Sequence, residues 1–192
     1  MDINMQEIIK QNMEEQIQLL KQTMKTDYAD KTAEAAECIL HAISTGHKVL
    51  IAGNGGSAAD AQHMAAELVV RFEKDREGFP AMALTTDSSI LSAGGNDYGF
   101  EAVYERQVQA LGVEGDVFIA ISTSGDSENI VRAVHMAGNK KMKVIGMTGQ
   151  TGGRMKELCD IVLCVPHDRT ARIQEIHEHT IHTLCQLVEQ KM

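Results

Sequence analysis

Short apolar runs alternate along the chain with longer segments in which apolar side chains recur every three or four positions. The short runs predict strands buried on both faces, and the longer segments predict amphipathic helices. This order predicts an α/β fold, a three-layer sandwich around a five-stranded parallel sheet of the flavodoxin or Rossmann type. The predicted strands span residues 48–52, 81–85, 117–122, 143–148 and 161–165. Because the pattern contains no linker or repeat, it predicts one domain over residues 1–192.

The first predicted helix spans residues 1–25 and precedes every strand. Its apolar side chains recur at helical spacing among Gln, Glu and Lys, at Met5, Ile8, Ile9, Met13, Ile17, Leu20 and Met24. This helix has no strand to cross over from, so its apolar stripe favours a contact with another subunit. We therefore expect residues 1–30 to form an oligomerisation helix. Further helices are predicted over residues 31–45, from the loop at 53–57 to about residue 72, and in a short segment after Asp87. Others are predicted around residues 103–111, from the loop at 122–127 through Ala137, and from about Ala171 onward.

The composition argues against several classes of function. The formal net charge of −9 and the lack of a Lys/Arg-rich block argue against nucleic-acid binding. The polar start of the chain and the lack of a long apolar stretch argue against a signal peptide and a membrane span, so we expect a cytoplasmic protein. The four cysteines contain no C-x-x-C pair, and we expect reduced, buried thiols rather than a cysteine zinc site.

A loop of sequence GNGGS, residues 53–57, separates a predicted strand from an alanine-rich predicted helix. A helix N-terminus directs free N–H groups and the positive end of the helix dipole at one place, which favours an anion. Gly55 and Gly56 can adopt backbone angles closed to other residues and let a ligand approach the main chain. The alternative is a tight turn with Ser57 as the helix cap. The spacing matches neither the dinucleotide fingerprint nor the P-loop, so the loop alone leaves both interpretations open.

A second loop, STSGDS at residues 122–127, also lies between a predicted strand and a helix. Ligands bind at the carboxyl ends of parallel strands, so both loops are expected at the same edge of the sheet. The clustered hydroxyl and N–H groups favour a phosphate. The alternative is that Ser124 or Ser127 only caps the helix. A third segment, residues 94–99, is rich in glycine and is predicted to be an irregular loop.

His63 and Glu67 are four residues apart on a predicted helix and share a face, which is the spacing of helical zinc ligands. The alternative is a packing helix with a hydrogen-bonded histidine and a solvated glutamate. On the last predicted helix, spacing alone would pair His182 with Glu178. Most polar side chains of that helix are expected on its solvent face: Gln174, Glu175, His177, Glu178, His179 and His182.

The chain resembles the SIS (sugar isomerase) domain family, and within it the phosphoheptose isomerases, in four ordered segments: GNGGSAADAQHMAAEL, GGNDYGF, ISTSGDS and RIQEIHEHTIH. The resemblance covers essentially the whole chain. It implies an aldose–ketose isomerase that converts sedoheptulose 7-phosphate to D-glycero-D-manno-heptose 7-phosphate. That reaction is the first step of heptose biosynthesis for lipopolysaccharide or surface polysaccharide.

The resemblance also implies the residues of the site. One zinc per subunit would be bound by His63, Glu67, Gln174 and His182, with Glu67 and His182 also acting as acid and base. The expected assembly is a cytoplasmic homotetramer with active sites near subunit interfaces and with no nucleic-acid or membrane partner. The implied substrate contacts are Asn54, Gly55, Gly56, Ser57, Glu67, Asn96, Asp97, Ser122, Thr123, Ser124, Ser127 and Gln174.

Two features of the last helix leave details of the site open. Some family members have Asp before the Arg of R-I-Q-E, where this chain has Ala171, and Asp168 is a candidate substitute. Gln174 and His182 are eight residues apart, or ~12 Å along a straight helix. A shared metal would then require a frayed helix start, side chains that reach toward each other, or ligands from different subunits.

Two other functions fit the same outline. One is a non-catalytic SIS protein that binds a sugar phosphate or a bacterial replication initiator. A pure binding module has no need for His63, Glu67 and His182 together, which argues against it. The other is a SIS isomerase or regulator for a different sugar phosphate.

Overall fold

The computed structural model describes residues 4–192 and contains a five-stranded sheet between two layers of helices. All neighbouring strands are parallel, and their order across the sheet is β2-β1-β3-β4-β5. The predicted α/β class is confirmed, and the five predicted strands are found with ends shifted by one or two residues. The strands are β1 Val49–Gly53, β2 Ala81–Ala83, β3 Val117–Ile121, β4 Lys143–Thr148 and β5 Ile161–Cys164.

Seven α-helices surround this sheet in the described part of the chain. They are α1 Met5–Thr23, α2 Tyr28–Ser44, α3 Gly56–Val69, α4 Ser88–Tyr98, α5 Val103–Leu111, α6 Glu128–Asn139 and α7 Thr170–Lys191, with short 3₁₀ turns at Phe100–Ala102 and Gly153–Glu157. The predicted helices are found, although α2 begins three residues earlier than expected and α3 ends about three residues earlier. The first three residues of the predicted N-terminal helix lie outside the described residues.

The strands are buried on both faces because their side chains alternate between two apolar layers. In β1, Val49 and Ile51 pack with α2, α3 and α7, whereas Leu50 and Ala52 pack with α5 and α6. β3 alternates in the same way. The continuous apolar runs of the sequence therefore reflect a sheet that is covered by helices on both sides.

The prediction of an irregular loop over residues 94–99 is wrong. Residues 94–98 form the end of α4, which begins where the side chain of Asp87 accepts a hydrogen bond from the backbone N–H of Ile90 at 2.9 Å. Glycine inside a helix costs only ~1 kcal/mol relative to alanine, so a capped helix continues through Gly94 and Gly95. The helix ends at Gly99, whose φ of +87° lies in the region that favours glycine.

Helix α1 lies at the surface and contacts the domain through one side, where Leu19 and Thr23 are buried. The helix also exposes large apolar side chains, at Met5, Ile8, Ile9, Met13 and Ile17, and Met24 follows just after the helix. No helix within residues 4–192 combines the length and the apolar character needed to cross a membrane.

Candidate active site

The carboxyl ends of β1 and β3 open into a pocket of about 310 Å³. The pocket is formed by the two loops that the sequence analysis singled out and by the first turns of α3 and α7. None of its lining residues within 4–192 carries a charge: Asn54, Gly55, Gly56, Ser57, Ile121, Ser122, Thr123, Ser127, Thr170 and Gln174. The starts of α3, α6 and α7 and several hydroxyl groups therefore lie around one small volume, an arrangement that suits an anion.

The glycine loop has a conformation that requires its glycines. Gly55 is the N-cap of α3 with a φ of +56°, so the expected special backbone angle is found there. Gly53 is needed for a different reason, because a Cβ at this position would lie 2.3 Å from the carbonyl oxygen of Ser57, whereas at Gly56 a Cβ would meet only the end of the Gln174 side chain. The alternative that Ser57 caps the helix is wrong, since Ser57 is buried inside α3 and Gly55 occupies the cap.

Two long-range contacts hold this loop in place. The hydroxyl of Tyr104 donates a hydrogen bond to the carbonyl oxygen of Gly53 at 2.8 Å. The side-chain amides of Asn54 and Asn129 donate to each other's carbonyl oxygens, both at 2.9 Å. Asn129 is buried near the start of α6. This pair therefore fixes the glycine loop relative to the hydroxyl loop, and sequence reasoning missed Asn129 because its partner lies 75 residues away.

The hydroxyl loop directs its serines toward one another rather than into caps. Ser127 occupies the N-cap of α6, but its side chain makes no capping hydrogen bond. Its Oγ instead lies 3.0 Å from the Oγ of the buried Ser122. The Oγ of Ser124 lies 3.4 Å from Ser122 and accepts a hydrogen bond from the N–H of Asp126. The hydroxyls of Ser122 and Ser127 thus remain near the pocket, which favours the phosphate interpretation over a simple cap.

A second cluster lies farther along the same two helices, α3 and α7. The Nε2 atoms of His63 and His182 lie 2.8 Å apart. The carboxylate of Glu178 approaches both imidazoles, with Oε1 at 3.3 Å from His63 and 3.5 Å from His182. The Oε1 of Glu67 lies 3.7 Å from the Nε2 of His63. Each of His63, Glu178 and His182 offers a ligand atom within 4.8 Å of the others, so these residues can hold a metal ion.

Comparisons with known proteins show the family to which this chain belongs. The SIS domain model matches residues 12–149. The phosphoheptose isomerase of Bordetella avium is 55% identical over 170 residues, which cover 87% of this chain and 86% of that protein. This chain belongs to the SIS family. Within the family, it groups with the phosphoheptose isomerases.

Solved structures show the same relationship. The phosphoheptose isomerase of Neisseria gonorrhoeae superposes with a TM-score of 0.92 at 44% identity, over 97% of this chain and 100% of that one. A phosphoheptose isomerase from Francisella tularensis gives a TM-score of 0.94 at 40% identity, over 98% of this chain and 100% of that one. The three-layer fold described above is therefore the fold of this SIS subfamily.

An acidic residue near the cluster, Asp60, was missed by sequence reasoning. Asp60 lies one turn before His63 on α3, and its Oδ2 is buried with no hydrogen-bond partner among residues 4–192. Burial, together with the nearby carboxylate of Glu178, raises the pKa of Asp60 to about 6, although His63 opposes the shift. The i, i+3 spacing to His63 is the sequence signal that could have found it.

Helix α7 presents two chemically different faces to the domain. Gln174, Glu178 and His182 are spaced four residues apart and share one face. His177 was expected on the solvent face, but that expectation is wrong, since it is fully buried with Nε2 at 3.2 Å from the carbonyl oxygen of Thr148. Its spacing from Ile173 and Ile181 places it on the apolar side of the helix.

The remaining predicted site residues lie outside the pocket of this single chain. Asn96 and Asp97 are exposed near the end of α4, where the amide of Asn96 donates to Asp97 at 2.8 Å. Ala171 and Asp168 are exposed near the start of α7, and Oδ1 of Asp168 lies 3.6 Å from Nδ1 of His167. Their catalytic or binding roles stay predictions.

Proposed function

We propose that this chain isomerises sedoheptulose 7-phosphate to D-glycero-D-manno-heptose 7-phosphate. One observation carries the proposal: α3 and α7 both begin at the uncharged pocket and both carry the imidazole–carboxylate cluster farther along. Seven residues separate Gly56 from His63 and eight separate Gln174 from His182, or roughly 10–12 Å of helix. A sugar held by its phosphate at one end can therefore present its carbonyl end to the cluster.

The pocket is the proposed phosphate site. Ser122, Thr123 and Ser127 offer hydroxyl groups, and the first N–H groups of α3 and α6 have no partner inside their helices. These donors are fixed by the fold before the ligand arrives. Phosphate binding here sets the position of the reacting carbons, and Asn54, Gly55, Gly56, Ser57 and Gln174 complete the proposed contacts. Ser124, Asn96 and Asp97 remain proposed contacts from the family resemblance.

The donor set of the cluster fits zinc. Two imidazole nitrogens and a carboxylate are ordinary zinc ligands, and three protein ligands leave a position for substrate. His63 and His182 are the proposed nitrogen ligands, with Glu178 and Glu67 as the oxygen donors beside them. The family resemblance also implies Gln174 as a ligand, although its side chain lines the pocket near the start of α7. When bound, zinc polarises the carbonyl and hydroxyl oxygens of the sugar and stabilises the charge of the enediolate.

Glu67 is the proposed base. Its carboxylate removes the proton from C1 of the ketose, a proton is delivered to C2, and the hydroxyl proton moves to the former carbonyl oxygen, which yields the aldose. His182 is the proposed partner acid. A carboxylate that is bound tightly to zinc is a poor base. Because Glu178 already approaches both imidazoles, Glu67 can stay loosely held and available to the carbon.

The assembly, location and pathway are also proposals. The exposed apolar stripe of α1 supports burial against another copy of the chain, since contiguous apolar surface of this kind marks an interface. We infer a homotetramer in which residues 1–30 supply the contact and in which sites near the interfaces receive residues from neighbouring subunits. From the family resemblance, we also propose that the enzyme acts in the cytoplasm, at the first step of heptose synthesis for lipopolysaccharide or surface polysaccharide.

A non-catalytic SIS role is less well supported. A module that only binds a sugar phosphate or a replication initiator needs the pocket but not the cluster of His63, Glu178 and His182. Identity to phosphoheptose isomerases at about half of the aligned positions favours catalysis as well.

Turnover of sedoheptulose 7-phosphate by the purified protein is the first test, with metal content measured by mass spectrometry. We expect turnover that is lost after chelation and restored by zinc. Sedoheptulose without phosphate is the control substrate and should turn over poorly. A folded, metal-replete protein without turnover would overturn the isomerase proposal. Full turnover after complete metal removal would overturn only the zinc part of it.

A further inference from the structure

The chain that follows α3 is tied to the end of α7 by a shielded ion pair between Arg76 and Glu189. The Nε of Arg76 donates to Oε1 of Glu189 at 3.0 Å, and the two side chains are 13% and 2% exposed. A pair this shielded from water requires further hydrogen bonds to offset its desolvation. Both partners have such bonds, and some of them lead toward the candidate active site.

Arg76 holds the backbone at the end of α3. One guanidinium nitrogen donates to the carbonyl oxygen of Glu67 at 2.9 Å, and the other donates to the carbonyl oxygen of Leu68 at 3.0 Å. The guanidinium also stacks on the ring of Phe79, 3.8 Å from its centre. The main chain of Glu67 is therefore restrained by a side chain nine positions later.

Glu189 holds the segment between α3 and Arg76. Its carboxylate accepts hydrogen bonds from the backbone N–H groups of Phe72, Glu73 and Lys74, at 3.1, 2.9 and 2.8 Å. Once its backbone is fixed in this way, the ring of Phe72 lies 5.6 Å from the imidazole of His182, centre to centre. Glu189 is therefore linked through Phe72 to the imidazole of His182, whose Nε2 lies 2.8 Å from that of His63.

We propose that Arg76 and Glu189 are positioning residues for the active site, which set the backbone of Glu67 and the packing of His182 on facing helices. Neither residue touches the substrate or the metal. The inference rests on the proposed roles of Glu67 and His182. Groups that orient metal ligands from behind typically contribute about 10- to 100-fold to metal affinity or activity.

The chain offers a control ion pair at the amino ends of β1 and β3, away from the cluster. Lys48 and Asp116 form an ion pair at 2.6 Å before β1 and β3, and the Asp116 side chain is 1% exposed. Asp116 also accepts hydrogen bonds from the backbone N–H groups of Lys48 and Val113. The two pairs thus have the same kind of structural role, but only Arg76–Glu189 leads to the cluster.

The experiment compares Arg76→Lys and Glu189→Gln with Lys48→Met and Asp116→Asn. Lysine keeps the charge at position 76 but cannot reach both carbonyl oxygens with a forked pair of N–H groups. For each variant we would measure Tm, zinc affinity by competition with a chromophoric chelator, and kcat and KM for sedoheptulose 7-phosphate. We expect all four to lower Tm, but only the first two to lower zinc affinity or kcat by about 10-fold with little change in KM.

Two outcomes separate failure of this inference from failure of the proposed site. His63→Ala serves as the reference for the metal site. Unchanged zinc affinity in His63→Ala would overturn the proposed site on which the inference rests. The other outcome is that His63→Ala loses most of its zinc affinity while Arg76→Lys and Glu189→Gln change only Tm, as is expected of the control pair. That result would overturn the positioning role alone.

Discussion

The pocket between the two loops and the cluster of His63, Glu178 and His182 lie on the same two helices, yet they differ in their chemistry. The pocket is lined by neutral groups, whereas the cluster combines imidazoles with carboxylates. Neutral N–H and hydroxyl donors can bind a phosphate. The fold then does not have to hold a charged side chain away from water in the pocket before the ligand binds. The cluster can exchange protons and bind a metal. Under the proposed function, the pocket holds the phosphate of the substrate and the cluster carries out the chemistry.

This difference should separate the kinetic effects of substitutions. A change in the pocket removes binding that is present throughout the reaction, so it should raise KM. A change in the cluster removes interactions that matter most in the transition state, so it should lower kcat.

The largest effect is expected from the carboxylates of the cluster, where Glu67→Gln and Glu178→Gln form a matched pair. If Glu67 is the base, its amide variant should lose about 10²- to 10⁴-fold in kcat while still binding zinc. Glu178→Gln should weaken zinc binding but keep most of kcat at saturating zinc. Steady-state kinetics and zinc titration check both. The reverse pattern, with kcat lost only in Glu178→Gln, would assign the base to Glu178.

A smaller effect is expected in the pocket. Ser122→Ala removes a buried hydroxyl beside Ser127. A hydrogen bond to a charged group contributes about 1.5–3 kcal/mol, so KM should rise by about 10-fold or more. Inhibition by inorganic phosphate should weaken by a similar factor. Ser44→Ala, at the exposed end of α2, is the control and should change neither. Lower kcat in Ser122→Ala with unchanged phosphate inhibition would argue against a phosphate site here.

The sequence predicts the frame of this site well because the frame depends on local patterns. Apolar runs indicate the strands, and the carboxyl ends of β1 and β3 are where GNGGS and STSGDS were expected to meet. Residues 94–99 show where local signals mislead. Several glycines in a short segment favour a loop, but here a helix that is capped upstream continues through them. Asp87 supplies that cap.

Contacts between distant residues were not predictable in the same way. Asn129 and Glu189 act on partners 75 and 113 positions away, and no periodic pattern connects such pairs. Spacing alone did suggest Glu178 beside His182, and the structure places both in the cluster. The wider ligand set that the family resemblance implies, with Glu67 and Gln174, still awaits a test.

The smallest effect concerns the buried side of α7, where His177 carries no proposed catalytic role. Burial lowers its pKa to about 4, against the hydrogen bond with the Thr148 carbonyl. The unfolded chain binds a proton at this imidazole near pH 6.5, whereas the folded chain does so only near pH 4. Between these values the unfolded state binds more protons. The free energy of unfolding should therefore fall as the pH is lowered, by ~1.4 kcal/mol per pH unit.

His177→Gln tests this expectation because glutamine can keep a hydrogen bond to Thr148 but does not titrate. Urea denaturation of the metal-free protein at pH 7, 6 and 5 should show a steeper loss of stability in the wild type than in the variant. The difference should correspond to about one proton over this range. His135→Ala, at an exposed position on α6, should follow the wild-type dependence. Parallel curves for wild type and His177→Gln would mean that His177 does not charge on unfolding, and the buried face of α7 would then contribute packing alone.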